Sequence, residues 1–221
     1  MDFVTVIFNT AEIIGTIAFA ISGAMIAIDR GLDLFGVVFL AIMTAFGGGT
    51  IRDILLGKFP PKMFYSYQNL MIAFVCAVGV FLLMYFQRTE NVTKSTAFIK
   101  SVNIFDAIGL GIFSVIGVQA SFAAGYGNNA FFSVFLGMTT GCGGGIIRDL
   151  LSMETPYVLK KHIYAIASIV GSIVFYYSYQ QPINESIAMV SGILVTILIR
   201  MLATYYKWNL PKIKNMTDNH Q

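Results

Sequence analysis

Charge is scarce in this sequence. Of its 221 residues, 14 are Lys or Arg and 11 are Asp or Glu, together 11%. A soluble globular domain carries about 25%. A chain this poor in charge cannot cover its whole surface with groups that water favours, so its solvent is read as lipid. The net charge of +3 is scattered over loops with no basic face, which excludes nucleic acid as an electrostatic partner. Cysteine and histidine occur twice each. Cys76 and Cys142 fall within apolar runs, outside any CxxC or Cys/His cluster, and read as small buried hydrophobes rather than metal ligands. His162 stands beside Lys160 and Lys161, and His220 lies in the tail. No Ser-His or Cys-His pairing of nucleophile and base is visible, so the chain is not expected to be an enzyme.

Apolar residues are abundant instead, at 57% with a mean hydropathy of +0.75. A membrane-spanning helix needs roughly 20 mostly apolar residues. Seven such runs lie at about 4–28, 34–56, 66–87, 103–122, 129–151, 159–179 and 186–204. Their periodicity is weak, as in helices that are apolar on every side. The expected class is an all-α integral membrane protein with seven transmembrane helices. The first run lacks a basic leading segment and is long for a signal peptide, so it reads as the first span. One side of the membrane then holds the N-terminus with Arg52, Lys58 and Lys62. The other holds Arg30, Arg88, Lys94, Lys100, Arg148, Lys160, Lys161, Arg200, Lys207, Lys212 and Lys214. Positive loops face the cytoplasm, so the expectation is N-terminus outside and C-terminus cytoplasmic. The tail TYYKWNLPKIKNMTDNHQ mixes aromatics and lysines, which suits contact with anionic lipid headgroups.

The runs repeat. Shifted by 96 positions, Gly47-Gly48-Gly49 meets Gly143-Gly144-Gly145, Arg52-Asp53 meets Arg148-Asp149, Thr44 meets Thr140 and Pro60 meets Pro156. Shifted by 94, Glu12, Gly15, Phe19 and Gly23 meet Asp106, Gly109, Phe113 and Gly117. Spans 1–3 therefore resemble spans 4–6. Three is odd, so the second copy enters the membrane from the opposite side, and the halves are expected to be inverted repeats. The expected organisation is a first three-helix repeat over 1–90, a linker over 91–102, a second over 103–180, a seventh helix over 181–205 and a basic tail over 206–221.

Glycine costs about 1 kcal/mol against alanine inside a helix. Three in a row predict that spans 2 and 5 are broken there. Freed carbonyls are tolerated at membrane depth only when buried or facing a water-filled cavity, where they can replace a cation's hydration shell. Two simpler readings stand beside this one. Small residues let helix backbones approach closely, and Arg and Asp at a span end can reach the interface. Neighbours on a helix do not face each other, so Arg52 need not pair with Asp53. Arg52 with Asp149 and Arg148 with Asp53 is the cross-repeat alternative, and pairing to another span is a further one. Glu12 and Asp106 are acids inside or near spans, where carboxylates line cavities or pair with bases. Ser22, Thr44, Thr139 and Thr140 are candidates to line the same path, or to bond their own helix backbone.

GGGTIRD is no phosphate-binding loop, having neither a preceding strand nor a Gly-Lys-Ser/Thr ending. The doubled GGGxxRD motif in two three-span halves, followed by a seventh span, resembles the prokaryotic trimeric intracellular cation channel (TRIC) family. GTIAFAISGA at 15–24 and DAIGLGIFSVIG at 106–117 resemble its first and fourth spans. The resemblance covers about residues 5–205. It implies a homotrimer with a pore in each protomer between spans 2 and 5, passing potassium or sodium, with no cofactor. It places the protein in a bacterial inner membrane. Relatives are also labelled glycine transporters, so a secondary transporter for a small solute such as glycine is the alternative function. The phosphoinositide-binding lysine of eukaryotic relatives has no match here.

Overall fold

The computed structural model describes residues 3–87, 95–160 and 163–208. Arg88, Lys94, Lys161, His162, Lys212, Lys214 and His220 lie outside the described residues, as does most of the tail. Among the described residues eight α-helices follow one another: α1 (Phe3–Asp29), α2 (Leu34–Leu55), α3 (Tyr67–Gln87), α4 (Thr96–Ala123), α5 (Ala130–Leu151), the single turn α6 (Tyr157–Lys160), α7 (Ile163–Tyr179) and α8 (Glu185–Tyr205). A 3-10 turn over Lys62–Phe64 precedes α3, and no strand occurs among the described residues. Among the described residues, six helices (α1 to α5 and α8) are long and apolar enough to cross a membrane. α7, at 17 residues, is a shorter apolar helix.

Polar caps set several starts. The side chains of Asp33, Ser95, Asn129 and Asn184 accept hydrogen bonds from Gly36, Phe98, Phe132 and Ser186 backbone N–H groups. Each such cap is worth about 1 kcal/mol. The Ser95 cap starts α4 seven residues before the apolar run at 103, so residues 96–102 of the expected linker are helical. Both motif helices end in the same turn. Lys58 N–H donates to Asp53 C=O and Glu154 N–H to Asp149 C=O, each at 2.8 Å. The left-handed residue of the turn is Gly57 (φ +68°) in one copy and Met153 (φ 60°) in the other.

α1 and α4 are the central pair, with 61% and 67% of their most apolar stretches buried, against 17% for α3. Phe19 of α1 stacks on Phe113 of α4 at 5.3 Å between ring centroids. α2 packs on α1 and α5 on α4 through matching glycines. A Cβ on Gly23 would lie 2.9 Å from Ala41 Cα, and one on Gly117 would lie 2.8 Å from Gly137 Cα.

The expected breaks at the glycine triplets are absent. α2 and α5 run as continuous α-helix through Gly47-Gly48-Gly49 and Gly143-Gly144-Gly145. The reason is the helix crossing. A Cβ on Gly48 would collide with the carbonyl oxygen of Thr140, and one on Gly144 with that of Thr44. A Cβ on Gly143 would lie 2.9 Å from Gly48 Cα. The triplets remove side chains so that two unbroken backbones can touch, which is how small residues serve helix pairs in lipid.

Candidate functional site

Each motif helix ends beside a cavity, and the two cavities share no lining residue. The first, about 550 Å³, opens at the N-terminal end of α1 and is lined by Glu12, Arg52, Asp53, Lys58, Lys62 and Gln119 among others. A narrow pocket of about 20 Å³ continues from it past Glu12 and Lys62 to Thr16, Gly49 and Phe113. That is room for a single water-sized body. The second cavity, about 490 Å³, opens at the C-terminal end of α1 and is lined by Asp29, Arg30, Asn103, Asp149, Glu154 and Tyr157 among others. Between the two lie the Phe19–Phe113 stack and the Gly48–Gly144 crossing.

At the first cavity, Arg52 donates to the neighbouring Asp53 Oδ1 from Nε at 2.9 Å and Nη2 at 2.7 Å. Asp53 Oδ2 accepts the backbone N–H of Lys62 at 2.8 Å, pinning the loop that follows α2. Lys62 Nζ reaches across to Glu12 Oε2 on α1 at 2.6 Å. Its side chain is half exposed, so this pair is worth at most about 1 kcal/mol.

At the second motif the same arrangement is more deeply set. Arg148 pairs with Asp149 Oδ1 through Nε at 2.9 Å and Nη2 at 2.8 Å. Asp149 Oδ2 accepts the Tyr157 backbone N–H at 2.8 Å. Arg148 Nη1 also donates to Asp106 Oδ1 on α4 at 2.6 Å and to Ser22 Oγ on α1 at 2.9 Å. Tyr164 OH donates to Asp106 Oδ1 at 3.3 Å. The side chains of Arg148, Asp106 and Asp149 are almost wholly enclosed. Unpaired, such charges would be costly, and here each has a partner of opposite sign. Arg30 and Glu154 form an ion pair at the rim of the second cavity.

Both Arg-Asp pairs thus form within one motif, and the cross-repeat pairing is not present. Adjacent residues point apart at Cβ, but the arginine side chain is long enough to bend back along its helix. The carboxylate is meanwhile fixed by a loop N–H.

The other predicted residues divide clearly. Ser22 and Asp106 join the Arg148 network, while Glu12 faces the first cavity. Gly49 lines the narrow pocket. Gly47, Gly48, Gly143, Gly144 and Gly145 are packing positions, with Gly145 against the Tyr164 hydroxyl. Thr44 and Thr140 are fully buried and donate to Leu40 and Leu136 carbonyls of their own helices at 2.6 Å. Thr139 does the same towards Phe135. Sequence reading missed Lys62 and Arg200, counted only as side-marking charges, and it missed Tyr164. Arg200 carried a usable signal, because it sits inside the seventh apolar run, where a charge implies a buried partner.

Comparison with known proteins fits this architecture. The glycine transporter family profile matches the chain twice, over residues 9–88 and 103–180. The inner membrane protein YadS of Escherichia coli (strain K12) is 38% identical over 203 residues, 90% of this chain and 93% of that protein. The membrane protein YvgT of Bacillus subtilis (strain 168) is 34% identical over 94% of this chain and 97% of its own length. Among solved structures, one addressing conductance through TRIC cation channels superposes with a TM-score of 0.80 at 37% identity. It spans 94% of this chain and 98% of its own. A prokaryotic TRIC channel in 0.5 M KCl gives 0.82 at 34% identity, over 93% of this chain and all of its own. The chain belongs to the TRIC channel family. It is therefore an integral membrane protein with the TRIC fold, of a family of channels and not of enzymes. The TRIC orthologue from Rhodobacter sphaeroides, described as trimeric, gives 0.80 at 26% identity over 91% of this chain and 98% of its own.

Proposed function

We propose that the protein is a monovalent cation channel, permeable to potassium and sodium, whose passage in each protomer runs from one cavity to the other past the α2–α5 crossing. The observation that carries this reading is the pair of cavities at opposite ends of α1. Each is walled by the end of one motif helix, and between them lie the Phe19–Phe113 stack, the glycine crossing and the Arg148–Asp106–Ser22 network. The arrangement described is a closed one. Opening requires the two halves to part at Phe19 and Phe113. Glu12 and Asp53 are the carboxylates that line the first cavity and its narrow pocket.

Two family matches over residues 9–88 and 103–180 support two inverted three-helix halves, with α7 as the sixth crossing and α8 as the seventh. A 17-residue helix is at the lower end of what spans a bilayer. Solved relatives described as trimeric support a homotrimer here. An E. coli inner membrane relative supports a bacterial inner membrane, with the N-terminus outside by the lysine and arginine balance.

The test is single-channel recording of the purified protein in planar bilayers under asymmetric potassium chloride. A cation-selective reversal potential, with unitary steps far above carrier turnover, is the expected result. Solute-coupled flux without unitary steps would make it a transporter instead.

A further inference from the structure

Each half offsets the acid of its central helix in its own way. In the second half, Asp106 of α4 is bonded to Arg148, and both side chains are almost wholly enclosed. In the first half, Lys62 Nζ lies 2.6 Å from Glu12 Oε2 of α1, and the lysine side chain is half exposed. The arginine is walled in by protein on every side. The lysine is a compact point charge on a flexible stem, resting on a carboxylate at the wall of a cavity.

The turn after α2 does not require that lysine. It uses the backbone, through Lys62 N–H donating to Asp53 Oδ2 at 2.8 Å. In the second half the same pin is made by Tyr157 N–H to Asp149 Oδ2, also at 2.8 Å. The pinned position thus carries an ammonium in one copy and a phenol in the other. A half-exposed ion pair also adds little to stability. What remains for the ammonium is its charge and its place. The charged groups lining the narrow pocket are Glu12, Asp53, Arg52 and Lys62, two of each sign. Arg52 is buried and bonded to Asp53, so that pair is self-contained. The charge of the pocket therefore turns on whether Lys62 offsets Glu12. Among the described residues the wider cavity adds one further charged group, Lys58, which does not line the narrow pocket.

We propose that Lys62 limits the unitary current: its ammonium is a tethered cation on Glu12 that holds the mouth of the narrow pocket at zero net charge, and so restrains how strongly the first cavity gathers permeant cations. This deepens the channel reading above and rests on it. A charged cleft with low-dielectric walls raises the local concentration of counter-ions. Without the ammonium, the pocket keeps the Glu12 charge uncompensated and draws cations in. The signature is a gain of current that salt abolishes, because the screening length shrinks from about 30 Å at 0.01 M to about 3 Å at 1 M. Loss of a merely structural contact gives no such salt-dependent gain.

The test compares unitary currents of wild type, Lys62→Met, Lys62→Arg and Lys58→Met in planar bilayers under symmetric potassium chloride, at about 0.01 M and about 1 M. Methionine keeps the length of the side chain and removes its charge. Lys62→Met is expected to raise the current at low salt about threefold or more, below the roughly tenfold that marks a strongly charged cleft. At high salt it should match wild type. Lys62→Arg, which keeps the charge, should match wild type at both concentrations. Lys58→Met should give less than half the gain of Lys62→Met, because its charge stands outside the narrow pocket. An unchanged or lowered current in Lys62→Met at low salt would overturn the proposal. So would a gain that persists in full at high salt, an equal gain in Lys62→Arg, or an equal gain in Lys58→Met. If Lys62→Met does not fold, Lys62→Gln is measured with the same outcomes. Absence of unitary current in the wild type would instead sink the channel reading, so the two failures are distinguishable.

Discussion

The two halves carry the same motif and use it differently. Arg52 and Asp53 form a pair at the wall of an open cavity, and the acid of α1 in that half, Glu12, is held by a half-exposed lysine. Arg148 and Asp149 form the same pair, but the corresponding acid of α4, Asp106, is bonded to the arginine itself and enclosed with it. The difference follows from side-chain length and place. Glu12 lies where the cavity reaches α1, so its carboxylate finds Lys62 from the next loop. Asp106 is one methylene shorter and deeper, and it is reached by Arg148 and by the Tyr164 hydroxyl. Doubling a motif therefore duplicates the turn chemistry but not the electrostatics. The second half holds its acid within the Arg148 network, while the first presents Glu12 to its cavity.

The largest effect that probes this comparison comes from what the halves share. Gly48→Val and Gly144→Val should each prevent assembly of the folded protein or cost at least about 3 kcal/mol, the upper range for overpacking. Gly49→Ala, where a Cβ meets nothing nearer than 3.7 Å, should be neutral or stabilise by up to about 1 kcal/mol. Thermal unfolding in detergent checks all three. Equal tolerance at positions 48 and 49 would remove the crossing as the reason for the triplet.

Next in size is the contrast between the arginines. Arg148→Gln leaves two enclosed carboxylates without their cation and should cost about 3–5 kcal/mol. Arg52→Gln, at the wall of the first cavity and bonded to a single carboxylate, should cost less than half of that by the same measurement. Equal losses would mean that the two halves are electrostatically equivalent.

Smaller still in stability are changes at the entrance. Glu12→Gln and Lys62→Gln should each shift the thermal midpoint little, because a half-exposed ion pair contributes at most about 1 kcal/mol. Their effect should be on current. Loss of Glu12 should reduce unitary conductance at low salt, and the difference should fade as salt screens the charge. The smallest effect is expected at the turn. Met153→Gly relieves a left-handed backbone and should stabilise by up to about 1 kcal/mol, as Gly57 already does in the first half.

The spans were readable because hydropathy belongs to each helix alone. The run at 34–56 became Leu34–Leu55, and that at 129–151 became Ala130–Leu151. The glycines were harder to read. A triplet weakens a helix and also lets another helix touch it, and only the partner's backbone decides which matters. Thr140 C=O is that partner for Gly48, and it lies 92 residues away. The Arg-Asp pairs misled for a related reason. Helical geometry describes where Cβ points, while Arg148 bonds through atoms at the far end of its side chain. Arg200 shows the same limit. Its sequence position marks a side of the membrane, while the carboxylate beside it, Asp106, is supplied by α4.

On the proposed path, cations cross the membrane by the first cavity and its narrow pocket. Gly49 lines that pocket, and a Cβ there meets nothing nearer than 3.7 Å. In a variant lacking Cys76 and Cys142, Gly49→Cys should be reached by a small cationic thiol reagent from the side of the N-terminus of α1, and single-channel current should fall as it reacts. Val75→Cys on the exposed face of α3 should leave the current unchanged. Quantitative modification of Gly49→Cys with undiminished current would contradict the account.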